Sequence, residues 1–131
     1  MKVDRLVATD FLIDRWRNGE ASDASLYARA HREDSLAISW IVKGDFLRAA
    51  ETARYDSPEV VKFLARYPTQ WPDEEIVIGY ARLSVRFRQQ SFSFAANDLW
   101  LAASALRLSV PLVTRNTNAF AKVSGIRLDP F

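Results

Sequence analysis

Along the chain, apolar residues switch repeatedly between alternating and helical spacing, and the switches mark strands interleaved with helices. The apolar run Leu6 to Ala8 predicts a first strand. Phe11, Leu12, Arg15 and Trp16 follow at helical spacing until Asn18-Gly19 supplies a stop. Ser22 or Asp23 can cap a second helix running through Arg32. Ser35 to Trp40 alternates and closes on an aromatic residue, which predicts the second strand. The alanine and leucine content of Val42 to Arg54 predicts a helix whose first turn is weakened by Gly44. Ser57, Pro58 and Glu59 read as N-cap, proline at the first helical position and first-turn acid of a helix through about Arg66.

The segment after Asp73 fits two periods. Ile76, Val77 and Ile78 read as strand, whereas Ile76, Tyr80, Leu83 and Phe87 form a helical stripe. Asp73 as a cap with Glu74 and Glu75 behind it favours the helix. Asn97 or Asp98 opens a further helix whose small apolar residues call for deep packing. Pro111 marks the return to a strand over Leu112 to Thr114, and a last strand, Ile126 to Leu128, follows Gly125. Linkers, internal repeats and low-complexity tracts are absent from the sequence. The alternation predicts an α/β fold, a single domain with a mostly parallel central sheet flanked by helices.

Such a sheet binds ligands outside the carboxyl ends of its strands. The polar residues collect at that edge: Ala8 to Asp10 after the first strand, Asp45 one turn into the helix after the second, Asn97-Asp98 at a helix start, and Thr114-Arg115-Asn116 after the Leu112 strand. Converging carboxylates are costly unless a cation neutralises them.

Composition then narrows the chemistry. With 131 residues and 49% hydrophobic side chains the chain can bury one substantial core. It has no cysteine, which excludes disulfides, zinc-thiolate sites and thiol nucleophiles and fits a reducing compartment. The single histidine, His31, lies in a polar stretch and reads as a surface residue, leaving little for a Ser-His-Asp triad. A metal must be held mainly by oxygens, which favours Mg2+, or Mn2+, over zinc. No apolar run approaches the roughly 20 residues of a membrane span, and the opening residues lack a secretory signal's apolar stretch. A soluble, cytoplasmic protein with no membrane association is expected.

The net charge of +2 permits nucleic-acid binding without arguing for it. Arg82, Arg86 and Arg88 read as solvated surface, and Arg115, inside a strand-end turn, as a candidate substrate contact. Trp16, Trp40, Trp71 and Trp100 read as core or subunit interface rather than as platforms for bases.

Three motifs carry a resemblance. NDLWLAASALRLSVPLVTRNTNAF resembles the C-terminal signature of PIN domains, in which an aspartate, a small apolar helix and a strand lead to a Thr-x-Asn/Asp turn and a phenylalanine. VATDFLID is similar to that family's Leu-Asp-Thr-Asn/Asp-x-Leu-Ile start, and SWIVKGDFLRAA to its Ser-x-x-x-x-Gly-Glu-Phe/Leu segment. In order and in coverage of nearly the whole chain they match the VapC-like toxins of that family. The resemblance implies a magnesium-dependent endoribonuclease of a toxin-antitoxin pair, with RNA as substrate, a cognate antitoxin as partner and a homodimeric assembly. It places Asp98, Asp45 and Asn116 in the catalytic site, with Asp98 and Asp45 as metal ligands. Asn116 would accept a bond from metal-bound water.

Two positions depart from the pattern. Ala8 stands where the family has its first catalytic, metal-binding aspartate, and Asp45 where it has a glutamate. The resemblance therefore implies an active-site-defective form, whether engineered or natural; the alternative is a naturally non-catalytic PIN-fold protein that binds RNA or an antitoxin. Thr114 and Asp10 are supporting residues: Thr114 can order its turn, and Asp10 reads as a helix cap rather than a ligand. Taken singly, Asp98 has a plainer reading as an N-cap, Asp45 as a first-turn acid and Asn116 as a turn residue. A third architecture, the doubly wound signalling receiver, needs a phosphorylatable aspartate ending a central strand, where this chain has Thr114-Arg115.

Overall fold

The computed structural model describes residues 2–131 and shows an α/β domain with a five-stranded, all-parallel sheet and, among the described residues, seven helices. The strands β1 (Arg5–Val7), β2 (Leu36–Ser39), β3 (Thr69–Gln70), β4 (Leu112–Val113) and β5 (Leu128–Asp129) lie in the order β3-β2-β1-β4-β5. The register pairs Leu6 with Ala37 on one side and with Leu112 on the other. The chain winds outward from β1 to β3, then crosses to β4 on the opposite side. The order therefore reverses between β1 and β4, which creates a switch point there.

Leu6 and Val7 point to opposite faces of the sheet, and both are 0% exposed, as are Leu112 and Val113. Both faces are therefore covered, as a parallel sheet requires. The helices are α1 (Thr9–Asn18), α2 (Asp23–Ala30), α3 (Trp40–Ala53), α4 (Ser57–Leu64), α5 (Glu74–Gln89), α6 (Ala96–Leu108) and the short α7 (Thr117–Phe120). Helix α5 packs along α6, where Gly79 lies close to Ala103 and the Tyr80 and Trp100 rings stack at 3.8 Å. Trp16 packs edge-on against the buried Phe46 and Phe63, and Trp40 meets Trp100, so three of the four tryptophans serve packing; Trp71 is exposed. Among the described residues no helix is long and apolar enough to cross a membrane.

Several boundaries differ from the sequence expectation. The first strand ends at Val7, and Ala8 is the N-cap of α1. Helix α3 begins at Trp40 because the Ser39 hydroxyl accepts from Val42 N at 3.2 Å, which ends β2 before its aromatic residue. Asp56 rather than Ser57 caps α4, its carboxylate accepting from Glu59 N. The caps Ser22 of α2 and Asp73 of α5 stand where the sequence put them. Ile126 is still in the turn after Gly125, so β5 begins at Leu128. β3 and α7 were too short to leave a periodic signal.

Two polar assemblies tie the helices to the sheet. Arg5 donates to Asp34 at 3.0 Å and to Asp129 at 2.7 Å, joining the start of β1 to β5 and to the loop before β2. Asp14, 7% exposed, accepts from Ala24 N at 2.9 Å and from Asn18 Nδ2 at 2.7 Å, bracing the first turn of α2. Burial alone would raise the pKa of Asp14, but these donors and Arg115 together hold it below the ordinary carboxylate value. A group so depressed stabilises the fold above its unfolded pKa, and the contribution is lost as pH falls through the folded value. Asp14→Ala is expected to cost about 2–3 kcal/mol at neutral pH, read from urea midpoints. The gap to the parent chain should close below about pH 4.

Candidate active site in an acidic crevice

The switch point between β1 and β4 opens, at the carboxyl edge, into a crevice of about 180 Å3. Four elements bring its polar residues together. Ala8 and Asp10 come from the start of α1, Asp45 from α3, Asn97 and Asp98 from the first turn of α6, and Thr114 and Asn116 from the exit of β4. Ala8 is 5% exposed, and its methyl group offers the crevice no polar atom.

Asp10 reaches the crevice by the turn of α1, because β1 stops too early to carry it on an extended strand. Its carboxylate does not cap that helix, whose N-cap makes no side-chain bond. Instead Asp10 Oδ2 accepts from Thr114 Oγ1 at 3.0 Å and from Arg115 N at 2.9 Å, while Oδ1 is buried without a partner. Thr114 Oγ1 in turn accepts from Asn116 N at 3.0 Å. The β4 exit turn is thus stitched to the start of α1.

Asp98 is not the N-cap of α6, a position held by Ala95; it lies inside the first turn. Burial raises its pKa above the ordinary carboxylate value, and the charges of Asp45 and Asp10 add to the effect. Asp45 Oδ1 accepts from Asn97 Nδ2 at 2.8 Å, and exposed Arg48 stands 3.7 Å away. The sequence pattern marks Asn97 only as a helix opener; the signal for its hold on Asp45 is its place beside Asp98. Asn116 is the N-cap of α7 without a side-chain cap bond, and it lines the crevice.

Arg115 is directed elsewhere. Its guanidinium pairs with Asp23 at 2.7 Å and Asp14 at 3.5 Å, and it lies over the Phe131 ring at 4.4 Å. Only its backbone N–H serves the crevice turn, and its side chain does not line the crevice. His31 ends α2, stacked on Tyr27 at 4.0 Å and with Nδ1 3.0 Å from the Tyr27 carbonyl; it is not part of the crevice.

The donor set is all oxygen. Among the described residues no three acids stand close enough to form a ready-made ligand cluster. Yet Asp98 feels both other carboxylates, Asp10 keeps an unpaired buried oxygen, and no basic side chain lines the crevice. That arrangement suits a hard, partly hydrated cation, since magnesium is commonly held by one or two carboxylates with water completing its shell.

Fold and crevice together define the class: a small doubly wound domain with a carboxylate site at its topological switch point. The PIN domain family model matches residues 3–126, and the chain belongs to that family. Among curated proteins it is similar to Ribonuclease VapC1 of Haemophilus influenzae strain R2866, 24% identical over 125 residues that cover 93% of each chain. Among solved structures, that of VapBC2 from Rickettsia felis bound to a DNA fragment from their promoter has a TM-score of 0.86 at 18% identity, covering 98% of this chain and 99% of that one. VapBC-1 from nontypeable Haemophilus influenzae gives 0.82 at 20% identity, with 98% of each chain covered.

Proposed function

We propose that this chain is a VapC-like endoribonuclease toxin of a toxin-antitoxin pair, dependent on a divalent cation and defective at Ala8. The observation that carries the reading is the convergence of Asp10, Asp45 and Asp98 around Ala8 at the switch point of a PIN fold. Similarity to a curated VapC1 ribonuclease over most of both chains supports the toxin assignment.

In this reading Asp98 and Asp45 hold magnesium, which when bound activates water and offsets charge on the phosphate and the leaving oxygen. Asn97 fixes Asp45 so that one carboxylate oxygen stays free for the cation. Asn116 orients water. Thr114 and the Arg115 amide hold Asp10 in the crevice wall, its second oxygen left without a partner. Asp98, protonated more readily than an ordinary carboxylate, must lose its proton for the cation to bind, so affinity should fall as pH drops through the raised pKa.

A cognate antitoxin and a second copy of the chain are the proposed protein partners. Exposed Leu47 and Val61 on α3 and α4, and Val77, Ile78 and Val85 on α5, offer apolar surface for them. The test is cleavage of single-stranded RNA by the Ala8→Asp chain, with magnesium and with chelator. A folded, magnesium-binding Ala8→Asp protein that leaves RNA intact overturns the reading. Ala8 itself favours one second reading, a non-catalytic binder of RNA or antitoxin. An Ala8→Asp chain that neither binds magnesium in calorimetry nor cleaves, yet still binds RNA or a small antitoxin protein, would favour it.

A further inference from the structure

A concavity of about 540 Å3 lies at the opposite edge of the sheet from the crevice. It opens where β2 and β3 begin, next to Ser35, Leu36 and Pro68, and is bounded by the ends of α1 and α2. Arg15, Arg29, Arg32 and Arg66 line it, together with His31, and Asp34 is the only acid among its walls. Asp34 is already taken, accepting from Arg5 at 3.0 Å.

The four guanidinium groups are not equivalent. Arg29 donates to the Glu20 carbonyl at 2.9 Å and pairs with its exposed carboxylate at 3.3 Å, and Arg32 pairs with exposed Glu33 at 3.7 Å; both carboxylate contacts are loose ones that a better anion can displace. Arg15 and Arg66 enter no ion pair among the described residues. Arg15 Nη1 donates to the Tyr67 hydroxyl at 2.9 Å, which fixes the group, while its Nε is buried without an acceptor. The carbonyl-rich ends of α1 and α2 account for a basic residue at each, Arg15 and Arg29. They do not account for Arg32 and Arg66, which lie outside the helices.

We propose that this cleft binds phosphate groups of an RNA strand, as a second anchoring site remote from the acidic crevice. Planar guanidinium forks match phosphate oxygens two at a time, and a concavity with two uncompensated arginines concentrates such anions. The ten residues of α1 run from the crevice to this cleft, roughly 15 Å at the helical rise, a span that one bound strand can bridge. The proposal rests on RNA being the substrate.

Anisotropy titration of a labelled single-stranded RNA, with chelator present so that cleavage is silent, tests it. Arg15→Gln/Arg66→Gln is expected to weaken binding at least tenfold. The slope of log affinity against log salt should become shallower by about 1.4, for two lost phosphate contacts. Should that variant misfold by circular dichroism, Arg32→Gln/Arg66→Gln, altering only groups outside the helices, carries the same expectation. Affinity and slope unchanged in a folded variant overturn the proposal. Equal binding of a polyglutamate peptide overturns it in favour of an acidic protein segment, and displacement of RNA by submillimolar inorganic phosphate overturns it in favour of free phosphate. Cleavage by Ala8→Asp with an unchanged salt slope would sink this inference alone. The expected slope change without cleavage would instead sink the proposed function.

Discussion

Ala8→Asp is expected to increase magnesium-dependent RNA cleavage by at least about 100-fold, the scale on which ligands and their immediate supports act at metal sites. The backbone is ready for the change. Ala8 is already the N-cap of α1 in extended conformation, where aspartate is among the favoured residues. Without metal, the gain of about 1 kcal/mol from capping is opposed by repulsion from Asp10, Asp45 and Asp98. The melting temperature should therefore change little in chelator and rise with magnesium in proportion to the logarithm of its concentration. The parent chain should show a much smaller magnesium-dependent rise. A magnesium response of equal size in both chains would mean that position 8 does not face the cation.

Asp98→Asn is expected to act in the opposite sense on stability and on chemistry. Because burial, reinforced by Asp45 and Asp10, raises the pKa of Asp98, its deprotonation opposes folding. The stabilisation by the protonated form is complete below the unfolded pKa and is lost as pH rises through the folded value. At neutral pH without metal, the neutral amide should stabilise the fold by about 0.5–2 kcal/mol, the usual gain when a strained functional group is replaced. In the Ala8→Asp background the same substitution should abolish the magnesium-dependent rise in melting temperature and lower cleavage by about 100-fold or more. Thermal scans with and without magnesium, at pH 5 and pH 8, separate the two effects, since the stability advantage of the amide shrinks at the lower pH.

Most of the architecture was legible because it rests on local signals. The caps Ser22 and Asp73, and the apolar runs of β1, β2 and β4, each act over a few residues, and each element forms where its signal stands. The element after Asp73 shows the limit of periodicity alone: Ile76 to Ile78 is a β-branched run like that of a strand, and the cap with its two first-turn acids decided for α5. Thr69–Gln70 carries no pattern at all, since two residues cannot display a period; it is a strand only because Ile38 and Ser39 lie beside it.

The candidate site was legible as a set of residue types at one sheet edge, but not as a network. The sequence marked Asp10 as a cap and Arg115 as a substrate contact. In the structure Asp10 braces the β4 exit turn, and the Arg115 side chain turns to Asp14 and Asp23. Both outcomes depend on contacts across about a hundred residues of chain, which local pattern cannot encode. The same holds for Asn97, whose bond to Asp45 joins positions 52 residues apart.

The stitch between Asp10 and Thr114 spans 104 residues and joins the first helix to the exit of the fourth strand. Until β4 has been synthesised and docked beside β1, one wall of the crevice does not exist. A nascent chain that has not yet placed β4 therefore lacks the Thr114 and Asn116 side of the crevice. Order of synthesis thus makes the crevice a late feature of folding, completed only when the two ends of the sheet's central pair have met.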